Sequence, residues 1–215
     1  MNFTTLEVTL DAGVASIALN RPEKANAMSE PMWHEIEQAM AWLDTTPEAR
    51  VGILTGRGRV FTSGIDLTML MGVGQKIEDE CDGRRREKLR RLILKLQDTL
   101  SSIERCRKPV LAAIHGACIG GGIDLITACD MRYCSANAYF TVKEIDVGMT
   151  ADVGTLQRLP HLVGDGMARE LAYTGRRVEG PEAQQMRLVN RCFDTPEALE
   201  AGAANMQKRD PVFKD

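Results

Sequence analysis

Aromatic residues, histidine and long apolar runs are all scarce in this 215-residue sequence, and each shortage removes a class of function. Phe, Trp and Tyr make up 5% of the chain, too few for the stacked aromatic surfaces that bind single-stranded nucleic acid. The three histidines and six cysteines form no CxxC pair and no ligand-like spacing, so we expect no metal site. No apolar run approaches the ~20 residues that span a bilayer, so we expect no membrane insertion.

Charge and targeting signals are equally weak. The formal net charge of −3 gives no general attraction for nucleic acid. The first residues, MNFTTLEVTLDAG, lack a basic region followed by an apolar core, and the last three, FKD, are not a peroxisomal address. Cysteines 118, 129 and 134 lie in apolar surroundings, which is typical of reduced, buried thiols. We therefore expect a cytoplasmic protein.

Hydrophobic patterns in the first half predict mixed α and β structure. Residues 6–19 alternate around Asp-Ala-Gly, which predicts a β-hairpin. Ser29 and Pro31 predict the start of a helix that continues to about Leu43, and residues 51–55 predict a buried strand. Apolar residues three or four apart between 89 and 103 predict a long helix with one apolar face.

The second half continues this alternation. Strands are predicted at 110–114, 131–134, 139–142 and within 188–193, and helices at 123–129, 156–163, 167–173 and from about 181. With 44% hydrophobic and 27% charged residues, the chain has the composition of a globular protein with one substantial core.

The stretch 109–152 contains most of the residues that suggest chemistry. Its strand leads into Gly116 and then Gly120, Gly121 and Gly122, which precede a predicted helix. Glycines let a ligand approach the backbone, and the first N–H groups of a helix have no partner within it. Such a turn is typical of a site for an anion or a polarised oxygen, although similar turns are common without any ligand.

Three carboxylates follow these glycines, at Asp124, Glu144 and Asp152. Asp124 and Glu144 lie among apolar residues, where a carboxylate is costly unless it is paired or used. An aspartate near a helix start is also a common cap, and Asp152 has that alternative. The three acids together favour acid–base chemistry over capping alone.

Four segments carry a family resemblance: RPEKANAMS, GRVFTSGIDL, HGACIGGGIDLITACDMRY and FTVKEIDVGMTADVGTLQRLP. They resemble the enoyl-CoA hydratase/isomerase (crotonase) superfamily, over a region from about Leu6 to Phe193. Within the superfamily, the chain is most similar to the delta-3,5-delta-2,4-dienoyl-CoA isomerases.

The resemblance implies an α/β fold, a crotonase-like spiral of repeated strand–strand–helix units. We expect the spiral core at 1–195 and a shortened C-terminal helical segment at 196–215. Members usually have a longer helical region there, so we expect either a shorter member or residues missing near 200–206. The resemblance also implies a homotrimer or homohexamer and an acyl-CoA thioester substrate, with no cofactor because coenzyme A is part of that substrate.

The resemblance also assigns roles to residues. The backbone N–H groups of Ile65 and Gly121 are expected to hold the thioester oxygen, with Asp124, Glu144 and Asp152 as catalytic carboxylates. Glu144 is expected to be the base at carbon 2 and Asp152 the acid at carbon 6, although the reverse assignment stays open. The other expected substrate-binding residues are Ala25, Ala27, Ser63, Gly64, Asp66, Leu67 and Gly120.

These roles imply conversion of a 3,5-dienoyl-CoA to a 2,4-dienoyl-CoA in fatty acid beta-oxidation. Two alternatives stay open: an enoyl-CoA hydratase and a non-catalytic binding protein of the same fold. Hydratases of the superfamily have glutamates at the positions of Asp124 and Glu144, and usually glycine at that of Asp152. The sequence departs from the hydratase pattern at Asp124 and Asp152.

Overall fold

The computed structural model of this chain describes residues 3–199 and residue 202. The strands are β1 Leu6–Asp11, β2 Val14–Leu19, β3 Val51–Gly56, β4 Val110–Ile114, β5 Ala117–Ile119, β6 Met131–Ser135, β7 Tyr139–Thr141, β8 Val178–Glu179 and β9 Arg191–Phe193. The α-helices are α1 Glu30–Thr45, α2 Leu67–Met71, α3 Val73–Lys76, α4 Asp82–Arg105, α5 Gly121–Thr127, α6 Thr155–Val163, α7 Asp165–Thr174 and α8 Gly180–Gln185. Short 3-10 helices occupy Pro22–Lys24 and Glu144–Val147.

Two sheets organise the described residues. The larger has six strands in the order β1-β2-β3-β4-β6-β9, antiparallel only between β1 and β2. The smaller has three strands in the order β5-β7-β8. The predicted hairpin is confirmed, with Leu6 opposite Leu19 and Asp11 opposite Val14.

Successive strand pairs contribute one strand to each sheet. β4 lies in the large sheet and β5 in the small one, and β6 and β7 repeat this division. A parallel bridge between Thr62 and Cys118 extends the pattern to the chain after β3. This repetition of strand, strand and connecting segment is the geometry of a spiral.

Helix α1 covers one face of the core. Met32, Ile36, Ala39, Met40 and Leu43, the predicted apolar face, are all buried. Complete burial of a methionine, isoleucine or leucine side chain stabilises the fold by roughly 1.5–3 kcal/mol. Ser29 precedes the helix as predicted, but its side chain makes no capping hydrogen bond.

The sequence patterns missed three short elements near the glycine-rich turns. β5 has only three residues and lies between Gly116 and Gly120, so no alternation can reveal it. Helices α2 and α3 have five and four residues, too few for a helical period to be visible. All three elements lie next to the functional residues described below.

Most of the predicted C-terminal segment, 196–215, lies outside the described residues. The predicted boundary at residue 195 therefore stays a prediction. No helix within 3–199 is both long enough and apolar enough to cross a bilayer.

Candidate active site

An apolar cavity of about 200 Å³ lies beside the glycine-rich turn. The segment 63–65, the segment 119–121 and the three carboxylates Asp124, Glu144 and Asp152 all contribute to its wall. The rest of the wall is mostly apolar: Trp33, Leu67, Met69, Leu70, Val73, Leu89, Leu92, Ile93, Leu96, Val147, Met149 and Val153, with Lys143. The cavity therefore combines acids with a surface suited to a hydrocarbon chain.

The backbone N–H of Ile65 is available because of how its segment pairs. Met28 and Ile65 form a parallel bridge, in which the Met28 N–H donates to the Gly64 carbonyl and the Asp66 N–H donates to the Met28 carbonyl. In this geometry the bonds go to the residues on either side of Ile65, so its own N–H is directed away from Met28. Among the described residues, it has no hydrogen-bond partner.

The N–H of Gly121 is available for a different reason, because Gly121 is the first residue of α5. It also lies close to the first donor. A β-carbon built on Gly121 would be 3.7 Å from the Ile65 nitrogen, and one built on Gly64 would be 3.5 Å from the Gly121 nitrogen. The two N–H groups therefore lie on the same side of the cavity, as two donors to one oxygen must.

Gly64 must be glycine for this arrangement. Its φ of +91° disfavours L side chains, and a β-carbon there would be 2.7 Å from the Ile119 carbonyl oxygen. A larger residue would push the 63–65 segment away from the glycine-rich turn.

Buried Asn26 anchors the chain that leads into the 63–65 segment. Its side-chain nitrogen donates to the carbonyls of Arg57, Val60 and Phe61 at 2.8, 2.9 and 3.1 Å. The hydroxyl of Thr62 donates to the Asn26 carbonyl at 2.7 Å. Sequence reasoning did not single out Asn26, because the three carbonyls that its side chain donates to are more than 30 positions away.

Asp124 is completely buried, and only one of its oxygens has a partner. Oδ1 accepts a 2.6 Å hydrogen bond from the Thr155 N–H at the start of α6, whereas Oδ2 has none among the described residues. Burial, with the negative charges of Glu144 and Asp152, raises the pKa of Asp124 to about 7 against the opposing Thr155 hydrogen bond. Asp124 therefore caps α6 and also keeps a free oxygen that can hold a proton near neutral pH.

Glu144 and Asp152 have raised pKa values for similar reasons. Burial raises both, and the negative charge of Asp152 adds to the effect on Glu144. The Glu144 carboxylate lies against the glycine-rich turn, since a β-carbon on Gly120 would be 3.2 Å from its Oε1. Its Oε2 is buried without a partner among the described residues. Like charges in one cavity favour states in which at least one acid keeps its proton.

Asp124→Asn is expected to stabilise the fold increasingly as pH rises. The unfolded carboxyl loses its proton near 3.8 and the folded one near 7, so ionisation makes the parent less stable across that window, by up to about 4 kcal/mol. Asparagine does not ionise and can still accept from Thr155. Thermal unfolding at pH 5 and pH 8 should show the variant's advantage growing with pH.

Asp98→Asn, at an exposed position of α4, is the control for this replacement. An advantage of Asp124→Asn that is equal at both pH values would contradict a buried carboxyl that titrates near neutrality.

The structure brings together most of the residues predicted for the site. Ser63, Gly64, Ile65, Leu67, Gly120, Gly121, Asp124, Glu144 and Asp152 all line the cavity. Ala25, Ala27 and Asp66 are not part of the described wall: Ala25 contacts Ser63 of the wall, and Arg21 joins Ala27 to Asp66. The Ala25 carbonyl accepts from the Ser63 N–H, and Arg21 binds the Ala27 carbonyl at 2.6 Å and the Asp66 carboxylate at 2.9 Å.

Asp152 does not cap helix α6, which was the alternative role predicted for it. Gly154 is the residue that precedes α6, and Asp152 lies two positions earlier at the cavity wall. The first N–H of α6 is bonded to Asp124.

Sequence reasoning missed the contribution of α4 to the cavity. Its apolar stripe was predicted without any assignment of what it faces, and in the structure Leu100 and Ile103 at its end are buried. The earlier part of the stripe, from Leu89 to Leu96, lines the cavity. One signal in the sequence could have indicated this contribution. The apolar stripe is several turns longer than the buried end of α4.

No metal centre is formed within 3–199. No group of three or more His, Cys, Asp or Glu side chains there is arranged to hold a metal ion.

Comparisons with known proteins identify the family. The model of the enoyl-CoA hydratase/isomerase family matches residues 9–209. The peroxisomal Delta(3,5)-Delta(2,4)-dienoyl-CoA isomerase of Arabidopsis thaliana is 46% identical over 209 residues, 95% of this chain and 75% of that protein. The mitochondrial Delta(3,5)-Delta(2,4)-dienoyl-CoA isomerase of Homo sapiens is 43% identical over 218 residues, 98% of this chain and 66% of that protein.

A solved structure agrees with the sequence comparisons. The enoyl-CoA hydratase of Bacillus anthracis superposes with a TM-score of 0.84 at 32% identity, covering 95% of this chain and 76% of that one. The predicted crotonase-like spiral is confirmed. This chain belongs to the enoyl-CoA hydratase/isomerase family.

Proposed function

We propose that this chain isomerises 3,5-dienoyl-CoA thioesters to 2,4-dienoyl-CoA thioesters, a step of fatty acid beta-oxidation. The observation that carries the proposal is the third carboxylate: Asp152 lines the same apolar cavity as Asp124 and Glu144. The names of the Arabidopsis and human relatives support it. This chain spans 75% and 66% of the length of those two proteins.

The reaction begins at the thioester carbonyl. Its oxygen accepts hydrogen bonds from the N–H groups of Ile65 and Gly121, which stabilise negative charge as it develops there. Ionised Glu144 takes a proton from carbon 2. The electron pair of that C–H bond delocalises over the carbonyl and the diene as an extended enolate.

The reaction ends four carbons away. Protonated Asp152 gives its proton to carbon 6, the C3=C4 and C5=C6 double bonds become C2=C3 and C4=C5, and the carbonyl re-forms. Glu144 is then protonated and Asp152 ionised, so the total charge of the cavity is unchanged. Two separate acids suit this transfer because one group cannot readily reach both carbons.

The raised pKa values suit the two roles. A carboxyl with an ordinary pKa would hold almost no proton at neutral pH, whereas burial favours the protonated form of Asp152. Asp124, with a pKa of about 7 and a free Oδ2, contributes negative charge or a proton to the same cavity. The apolar wall formed by α2, α3 and α4 would hold the acyl chain.

The proposal is tested with two substrates and purified protein. Conversion of a 3,5-dienoyl-CoA is followed by the absorbance of the conjugated product, and hydration of a 2-enoyl-CoA by loss of absorbance. The assay contains no added cofactor, in line with the predicted absence of one. Fast isomerisation with slow or no hydration supports the proposal, and the reverse result would make the chain a hydratase.

Hydration is the second candidate. It needs two carboxylates to handle one water molecule, and Asp124 and Glu144 lie at the cavity as such a pair would. The Bacillus anthracis neighbour is named for this activity. Absence of both activities would favour the non-catalytic alternative.

Gly121→Val is expected to lower turnover by about 10²- to 10³-fold, the scale of losing one donor to a developing oxyanion. The backbone tolerates a side chain there, because the β-carbon would lie 3.5 Å from Met28 Sδ, an ordinary contact. Valine's methyl groups would instead enter the space between the two N–H groups. Steady-state kinetics and thermal unfolding, measured together, check this.

Gly121→Ala is the matched control, and its loss of turnover should be smaller. Equal losses of folding and activity in Gly121→Val would show that the glycine is only structural.

The assembly proposed for this chain is a homotrimer or homohexamer. Light scattering at micromolar concentration is expected to give three or six times the 23.7 kDa chain mass. A single monomeric species would contradict the proposal.

The cytoplasmic location remains a proposal drawn from the sequence alone. The named relatives are peroxisomal and mitochondrial proteins. Cell fractionation distinguishes the three locations.

A further inference from the structure

The backbone that carries Asp152 has very few attachments. Within the described residues, the segment 150–153 makes a single hydrogen bond to another part of the chain, from Gln97 Nε2 to the Asp152 carbonyl oxygen at 2.6 Å. On one side of this segment, the Met149 N–H donates to the Glu144 carbonyl. On the other, the Thr155 N–H donates to Asp124.

Gln97 comes from a different element, 55 positions earlier in the chain. It lies on α4, after the part of the helix that lines the cavity and before its buried end. A carbonyl oxygen can only accept, so the amide nitrogen of Gln97 must be the group that faces Asp152. A half-buried hydrogen bond of this length fixes the position of the 150–153 backbone relative to α4.

A polar groove of about 320 Å³ lies on the far side of the segment. Gln97, Val153 and Gly154 line it, and Val153 also lines the active-site cavity, so the segment is the partition between the two spaces. One turn after Gln97, Ser101 contacts the guanidinium of Arg158 at 3.1 Å, which joins α4 to α6 and not to this segment. A partition with solvent-accessible space on both sides needs a fixed point to hold an acid at a defined distance from its substrate.

We propose that Gln97 is a positioning residue for the proton transfer at carbon 6: its amide holds the Asp152 backbone so that the carboxyl reaches that carbon. This inference rests on the proposed function. It assigns Gln97 no contact with the substrate. Its effect passes through Asp152 and leaves the chemistry at carbon 2 unchanged.

The expected cost of losing this bond follows from the geometry that proton transfer requires. A displacement of about 1 Å at a catalytic group can lower the rate about 10²-fold. Gln97→Met, which keeps the length of the side chain without a donor, should therefore lower dienoyl isomerisation by about 10- to 100-fold. Gln97→Glu, nearly isosteric and unable to donate when ionised, should lower it as well.

The experiment compares three measurements on purified full chain. The first is isomerisation of a 3,5-dienoyl-CoA, the second is uptake of solvent deuterium at carbon 2 of that substrate, and the third is thermal unfolding. Each is made on the parent, Gln97→Met, Gln97→Glu and the control Ser101→Ala. Gln97→Met is also combined with Asp152→Asn.

Two results would support the proposal. Both Gln97 variants should lose isomerisation while deuterium uptake at carbon 2 changes little. Adding Gln97→Met to Asp152→Asn should cause no further loss of isomerisation. Ser101→Ala should isomerise like the parent. The proposal is overturned if the Gln97 variants isomerise normally. It is also overturned if deuterium uptake falls in parallel with isomerisation, or if the loss is the same with and without Asp152. A parent that does not isomerise at all would instead refute the proposed function.

Discussion

Replacing Asp152 with asparagine is expected to lower dienoyl isomerisation by about 10²- to 10⁴-fold, the usual cost of losing a general acid. The change keeps the size of the side chain but removes the proton that carbon 6 must receive. Among the described residues, the only hydrogen bond to Asp152 from another element goes to its backbone carbonyl, so the replacement breaks no side-chain hydrogen bond. Isomerisation is measured by the absorbance of the conjugated product.

The same variant separates the two candidate activities. Hydration of a 2-enoyl-CoA, which would use Asp124 and Glu144, should change far less than isomerisation. Asp146→Asn is the control, because Asp146 is an exposed acid of the nearby 3-10 helix, paired with Lys143. If Asp152→Asn isomerised within a few-fold of the parent, a proton shuttle between two carboxylates would be wrong, and the chain would be better explained as a variant hydratase.

Features determined by short stretches of sequence could be predicted. The strand 110–114 matches β4 because a run of five apolar residues, bounded by a proline and a glycine-rich turn, has the length of a buried strand and is too short for a typical helix. The pairing of Ile65 with Gly121 was implied by the family motifs. β-Carbons built on Gly64 and Gly121 lie 3.5 and 3.7 Å from the Gly121 and Ile65 nitrogens, so the two residues are neighbours. Their role as donors to the thioester oxygen stays a prediction.

Features that depend on packing between distant segments could not be predicted. Asp124 bonds the N–H of Thr155, 31 positions later, and Gln97 bonds Asp152, 55 positions later. Nothing in either neighbourhood of the sequence indicates its partner. The apolar stripe of α4 was visible, but whether a given turn faces the core or a cavity depends on what lies opposite, and that is a property of the fold.

Glutamate 144 offers the complementary experiment. Glu144→Gln is expected to lower isomerisation by about 10²- to 10⁴-fold, because proton removal at carbon 2 starts the reaction. Glutamine has nearly the same shape, so it should still fit against Gly120, where Oε1 is 3.2 Å from a built β-carbon. The buried, unpartnered Oε2 would become an amide with no charge to act as a base.

Deuterium uptake at carbon 2 is the measurement that distinguishes the roles of Glu144 and Asp152. Glu144→Gln should abolish it together with isomerisation and with any hydration, since all three need chemistry at or beside that carbon. Asp152→Asn should abolish isomerisation and leave the uptake. If the two variants gave the opposite pattern, Asp152 would be the base at carbon 2 and Glu144 the acid at carbon 6. If both variants kept the uptake, the remaining buried acid, Asp124, whose pKa of about 7 makes it half ionised near neutral pH, would have to be the base.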